Sequence, residues 1–174
     1  IKRNIDGLAA MKMNVFHWHL VDDQGWRIEM KKHPRLIELA SDGMYYTQEE
    51  IKEVVAYAKS RFVEVVPEIE LPGHSVAAIA AYPWLSCTGD TIPVENEWGV
   101  FKDIYCAGSE QTFEFIFLVR TNEFYIQRLV LLFLRNKIQG FQLGYARKIR
   151  NFYSRGGRNQ DAFLHIFQVV HDEG

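Results

Sequence analysis

Asn14-Val15-Phe16-His17-Trp18-His19-Leu20-Val21-Asp22-Asp23-Gln24-Gly25-Trp26-Arg27 is the stretch that decides the fold. Its first part, Val15 to Leu20, is short, apolar and rich in β-branched and aromatic residues, which reads as a strand. Asp22-Asp23-Gln24-Gly25 reads as a turn. A second stretch repeats the plan: Val63 to Leu71 reads as a strand, with Pro67 limiting regular pairing, and Pro72-Gly73-His74 follows at once. Both runs end in histidine and carboxylate. That placement is expected where parallel strands deliver reactive side chains to the mouth of a site.

Helical signals flank both strands. Ile1, Ile5, Leu8 and Ala9 recur at helical spacing before the first. Leu36 to Ala40 can form a short helix after Pro34. Thr47 and Glu50 form a capping box, in which hydroxyl and carboxylate each satisfy a backbone donor at a helix start. Ile51, Val54, Val55 and Ala58 then mark one apolar face. Ser75 to Ala81 is Ala-rich and helical, and Pro83 to Gly108 is dense in turn residues. This alternation predicts an α/β fold with a parallel sheet and covering helices.

The 174 residues suit one ordinary domain, and a hydrophobic fraction of 48% is enough to bury a core. The formal net charge of −2 gives no argument for a nucleic acid or an anionic membrane as partner. No apolar run reaches the roughly 18 residues needed to cross a bilayer. Cys87 and Cys106 leave a loop disulfide and two free thiols both open, and with them the compartment. The totals hide an asymmetry. Residues 1–115 carry 11 Lys and Arg against 18 Asp and Glu, while residues 116–174 carry 9 against 4. This shift predicts a boundary near Phe115, followed by a tail of uncertain fold. In that tail Phe113 to Leu134 is apolar without clean periodicity. Tyr145, Ile149, Phe152 and Tyr153 suit a basic helix face, and Phe163 to Val170 a strand.

Alternation along a strand puts His17 and His19 on one face. With Asp22 and Asp23 they could hold a divalent metal, or form hydrogen-bonded packing. Glu68 and Glu70 share a face of the second strand, with His74 just beyond. A carboxylate beside an imidazole fixes its tautomer and raises its basicity, which suits acid–base work; a structural ion-pair network is the bland alternative. Trp26, Trp84 and Trp98 could each stack on a sugar ring or simply pack. Arg147, Lys148, Arg150, Arg155 and Arg158, with aromatic residues between them, suit a solvated helix face more than an RNA contact.

Taken whole, Met11 to Arg27 resembles the second barrel strand of glycoside hydrolase family 20, the β-N-acetylhexosaminidases. Val65 to His74 resembles the third. Asn96-Glu97-Trp98-Gly99-Val100-Phe101 and Thr112-Phe113-Glu114-Phe115 fit the same family, in order, from Ile1 to about Phe115. The resemblance implies a (β/α)8 TIM barrel, of which residues 1–115 would be a part. It also implies removal of terminal N-acetylhexosamine from glycans by substrate-assisted retaining catalysis, an exception to the two-carboxylate scheme. Asp22 and His74 would form a relay supporting the family's catalytic glutamate, and His19 would line the site. No cofactor or metal is implied.

Departures from the family's pattern shape the remaining expectations. The family's sugar-gripping arginine would precede Ile1. Its Gly-Gly-Asp-Glu strand has no match after Phe115, and the sole adjacent Asp-Glu pair is Asp172-Glu173. The expected form is therefore a truncated and poorly active hexosaminidase with a divergent or frameshifted tail over 116–174. A non-catalytic glycan-binding remnant and a metal-dependent hydrolase are the alternatives. Exposed strand edges would favour self-association.

Overall fold

The computed structural model describes residues 1–121 and 130–132. The tail strand at 163–170, the basic cluster at 147–158, Asp172 and Glu173 lie outside the described residues.

Helix α1 (Lys2–Ala10) leads into strand β1 (Val15–His19), followed by the short strands β2 (Val21–Asp22) and β3 (Gly25–Trp26). Helices α2 (Arg35–Ala40) and α3 (Gln48–Ser60) connect these to β4 (Glu64–Glu70). Helix α4 (Val76–Ala81), a 3-10 turn at Pro83–Leu85, α5 (Glu110–Thr121) and β5 (Val130–Leu132) complete the order. The main sheet runs β1-β4-β5, with both pairings parallel. A parallel pair needs a crossover rather than a tight turn, and α2 and α3 supply it. The α/β expectation holds, and both long strands fall within a residue or two of their predicted bounds.

Local chemistry explains the elements. Thr47 accepts from the Glu50 backbone N–H at 3.2 Å, and the Glu50 carboxylate accepts from the Thr47 N–H at 2.8 Å, completing the expected capping box. Ile51, Val54 and Ala58 of α3 are buried, as their spacing predicts. Each fully buried branched side chain contributes about 1.5–3 kcal/mol. Nearly all of β4 is buried, on both faces, as befits a central parallel strand. Pro67 does not interrupt it: the residue keeps register opposite Trp18.

The β2–β3 hairpin holds Val21 opposite Trp26 and Asp22 opposite Gly25. Gly25 is required there, because a Cβ would stand 2.3 Å from Arg27 Nη2. That guanidinium is not free to move aside: it donates to the carbonyls of Gln24 at 3.0 Å and Met44 at 3.2 Å, and to Ser41.

Helix α5 spans the composition shift near Phe115, and Phe113, Phe115, Ile116 and Val119 are all buried. Val130–Leu132 forms a strand inside an apolar run that showed no clean period. Among the described residues, no helix is long and apolar enough to cross a membrane.

Candidate active site

Because β1 and β4 are parallel, their C-terminal ends lie on the same side of the sheet. In register, His19 stands opposite Glu68. The His17 and His19 side chains are about half exposed, whereas Glu68 and Glu70 are nearly buried. His17 Nε2 pairs with Glu68 Oε2. His19 Nε2 lies 3.1 Å from Glu70 Oε1, 3.5 Å from Asp22 Oδ2 and 2.9 Å from the Val21 carbonyl oxygen. A carbonyl can only accept, so that contact places a proton on His19 Nε2.

His74 is the hub. It follows the cis Leu71–Pro72 peptide and Gly73, and has φ +51°. For a non-glycine residue that conformation costs about 1–2 kcal/mol and is often found at functional sites. Its imidazole is held in return. Nδ1 lies 2.9 Å from Asp22 Oδ1 and 3.2 Å from Asp23 Oδ2, and Nε2 lies 3.6 Å from Glu70 Oε2. Asp23 is buried and accepts from the Val76 N–H at 3.1 Å, which ties the start of α4 to the hairpin. The Asp23 N–H donates to Asp22 Oδ1 at 2.7 Å, orienting the neighbouring carboxylate.

Burial governs the protonation of this cluster. It pushes the Glu70 carboxyl up to about 8, helped by the nearby Asp22 charge and by Glu68, and opposed by His74. Burial likewise raises Asp23, against the Val76 hydrogen bond and the charge of His74. His74 feels the opposite balance. Burial alone would lower it, but the charges of Glu70, Asp22 and Asp23 outweigh that and raise it. Where Glu70 holds its proton, the charges of Asp22 and Asp23 are what remains to raise His74. With Nδ1 committed to aspartate, Nε2 is the imidazole atom positioned to pass or hold a proton.

The structure thus brings together Asp22, His19 and His74, the three residues that the family resemblance singles out. It adds Asp23 as a buried brace, a role that spacing does not distinguish from that of Asp22. Two donor sets lie within 4.8 Å among the described residues: His19 with Glu68 and Glu70, and Asp22 with Glu70 and His74. His17 belongs to neither, so a metal held jointly by His17 and His19, the less favoured alternative for that pair, is not the grouping these donor atoms offer. Trp26 is fully buried, donating from Nε1 to the Ile28 carbonyl at 2.8 Å, so of its two readings packing is the one that holds. Trp84 packs its ring against Tyr82 and Phe115. Trp98 is 96% exposed. Cys87 and Cys106 form a disulfide that closes the loop after α4, settling the choice between bridge and free thiols.

A parallel sheet with a histidine–carboxylate cluster at the C-terminal ends of β1 and β4 defines an α/β chain with a candidate acid–base site. The sequence matches the glycosyl hydrolase family 20 catalytic domain over residues 1–124, and the chain belongs to that family. It is 50% identical over 125 residues to the β-hexosaminidase of Porphyromonas gingivalis, covering 67% of this chain and 16% of that protein. A chitooligosaccharidolytic β-N-acetylglucosaminidase of Bombyx mori is 45% identical over 127 residues, covering 63% of this chain and 21% of that one. Among solved structures, the Flavobacterium johnsoniae chitobiase superposes with TM-score 0.72 at 44% identity, covering 88% of this chain and 24% of that one. The β-N-acetylhexosaminidase of Streptomyces coelicolor gives 0.75 at 30%, covering 88% and 34%. The chain therefore spans about a sixth to a third of the length of these relatives.

Proposed function

We propose that this chain carries the supporting half of a β-N-acetylhexosaminidase site, one that releases terminal N-acetylhexosamine from glycans by substrate-assisted retaining catalysis. The carrying observation is the 2.9 Å contact between His74 Nδ1 and Asp22 Oδ1, backed by Asp23 and facing Glu70. In this scheme the substrate's own acetamido oxygen attacks the anomeric carbon. Asp22 and Asp23 hold the His74 tautomer, and His74 supports the carboxyl that protonates the leaving oxygen. His19 lines the sugar pocket. Asp172 and Glu173 are the candidate orienting aspartate and acid. The reaction draws on no metal or cofactor.

The parallel sheet and its crossover helices support a partial (β/α)8 barrel. We propose the partial barrel over 1–115 and a divergent segment over 116–174, with α5 crossing the join. By itself the chain should turn over weakly, since the transition-state contacts of an acid and an acetamido-orienting group dominate the rate. The test is release of an aryl alcohol from an aryl N-acetylglucosaminide, with Glu173→Gln and His74→Gln beside the parent chain. Negligible release from all three is expected. Robust release that collapses in Glu173→Gln would show a complete site and overturn the weak-activity proposal. Sugar binding with no product would favour a glycan-binding role.

We further propose self-association through β1. Among the described residues β1 pairs only with β4, and Val15 on it is 41% exposed. Light scattering should show concentration-dependent mass that falls in Val15→Lys; a strictly monomeric chain would refute it.

A further inference from the structure

We infer that the C-terminal ends of β1 and β4 form a divalent transition-metal site, with His19, Glu68 and Glu70 as ligands, at which an ion of the zinc class shuts the sugar pocket. The metal binding goes beyond the hexosaminidase reading; only the blocking of sugar rests on it.

Register and alternation together supply the ligand set. The strands β1 and β4 run parallel with His19 opposite Glu68, and Glu70 follows on the same face of β4. One imidazole nitrogen and two carboxylate oxygens are thereby gathered within 4.8 Å of one another. His19 Nε2 is the centre of the group. It lies 2.9 Å from the Val21 carbonyl oxygen, 3.1 Å from Glu70 Oε1 and 3.5 Å from Asp22 Oδ2. Atoms that each bond a zinc ion at about 2.0–2.2 Å stand about 2.8–3.6 Å from their neighbours in the shell. The oxygens around Nε2 are therefore spaced as ligands of one small ion are spaced.

Hydrogen bonds alone would show similar spacings, so charge and burial decide between the two. The Glu68 and Glu70 side chains are only 7% and 10% exposed, and Glu68 is among the groups that raise Glu70. Two buried carboxylates side by side favour positive charge between them. A proton on Glu70 answers that in part, and a dication answers it for both. The half-exposed His19 opens the pair to solvent on one side, which gives an ion an entry path and room for water ligands. Imidazole with carboxylate suits zinc and its neighbours, whereas calcium takes about six to eight oxygens. Ligand atoms must be bare to bind. The His19 Nε2 proton therefore passes through solvent to Nδ1, and the Glu70 proton leaves to solvent. An ion held there ties up His19, which lines the sugar pocket.

The untagged 174-residue chain, stripped of metal by a chelator that is then dialysed away, is titrated with zinc chloride by calorimetry, and bound metal is counted after dialysis. About one ion per chain is expected. His19→Gln, Glu68→Gln and Glu70→Gln should each weaken zinc at least about tenfold, with circular dichroism confirming that each variant is folded. His17→Gln should weaken it less than His19→Gln does. Calcium at about a hundredfold excess should leave zinc in place. In the parent chain, 15N NMR should show His19 passing from the Nε2–H to the Nδ1–H tautomer as zinc is added, a readout that needs no variant. N-acetylglucosamine should then bind more weakly with zinc present. Zinc binding that survives His19→Gln, or that only His17→Gln abolishes, would overturn the site. So would the absence of binding, several ions per chain with no fixed ratio, or displacement by calcium. Sugar binding equally well with and without a bound ion would overturn the blocking of the pocket. Zinc bound as expected by a chain that binds no sugar under any condition would support the metal site and count against the hexosaminidase reading alone.

Discussion

Replacing Glu70 by glutamine should stabilise the protein in alkaline solution and leave it nearly unchanged in mild acid. In the folded chain the Glu70 carboxyl sits at about 8, against an ordinary 4.5. The sign follows from proton counting. Below 4.5 both folded and unfolded chains hold the proton, and Glu70 contributes no pH dependence. Between 4.5 and about 8 only the folded chain holds it, so stability falls as pH rises, by about 1.4 kcal/mol per pH unit. Above about 8 both forms are ionised and the full penalty of the buried charge remains. The interval caps that penalty near 5 kcal/mol, and the half-exposed His19 beside the carboxylate admits water. About 2–4 kcal/mol is the expected gain of Glu70→Gln over the parent chain near pH 9, closing toward zero near pH 5. The neutral amide imitates the protonated acid, so contacts in acid are kept. Urea unfolding of both proteins across this range measures the gap directly. A gap independent of pH, or a parent chain more stable than the variant in alkali, would refute the buried-proton account of Glu70. His74 works in the same direction without mimicking the effect. Its raised protonation stabilises the fold fully below 6.5 and is lost as pH rises through the folded value, and the variant keeps only the part that Asp22 and Asp23 supply, because the Glu70 charge is gone.

Other perturbations test the scaffold. Cys87 and Cys106 are 19 positions apart, so replacing both with serine should cost about 3 kcal/mol in denaturant unfolding, and reductant should lower the parent chain to match. Trp26→Ala should cost about 3–5 kcal/mol by opening a cavity against Phe115 and removing the bond to Ile28, visible as a lower midpoint with unchanged denaturant slope. Thr47→Ala should cost about 1 kcal/mol by uncapping α3, and Thr47→Ser should recover most of it.

What was legible in the sequence was local. The β-branched and aromatic run at Val15 to Leu20, the Thr47–Glu50 pair and the Ala-rich segment after His74 each carry their structure in a few neighbouring residues. Helix α5 was not legible, because Phe117 and Leu118 extend the apolar run beyond the face that buries Phe113, Phe115, Ile116 and Val119, and so blur the 3.6-residue period in the sequence. Strand β5 was hidden in an apolar run that helix and strand would share equally. In the site, the His–carboxylate inventory was plain, but its pairing was not. His17 meets Glu68 and His19 meets Glu70 because of a cross-strand register, and no local signal encodes a register between segments so far apart. Nor could spacing say which of two adjacent aspartates goes inside; Asp23 does so because Val76 offers it a backbone donor.

The parallel pairing of β1 with β4 also sets the order in which the chain can acquire its chemistry. Val15 and Glu64 are partners 49 positions apart, and closing a loop of that length costs roughly 3 kcal/mol of chain entropy before any contact rewards it. The β2–β3 hairpin has no such barrier, so Asp22 and Asp23 can be organised early by local contacts. Glu68, Glu70 and His74 arrive only when the crossover closes, which is the slow kind of event in folding kinetics. The buried carboxylates are thus drawn into the apolar sheet in the same step that brings the histidines to meet them, and the protein never has to bury one without the other.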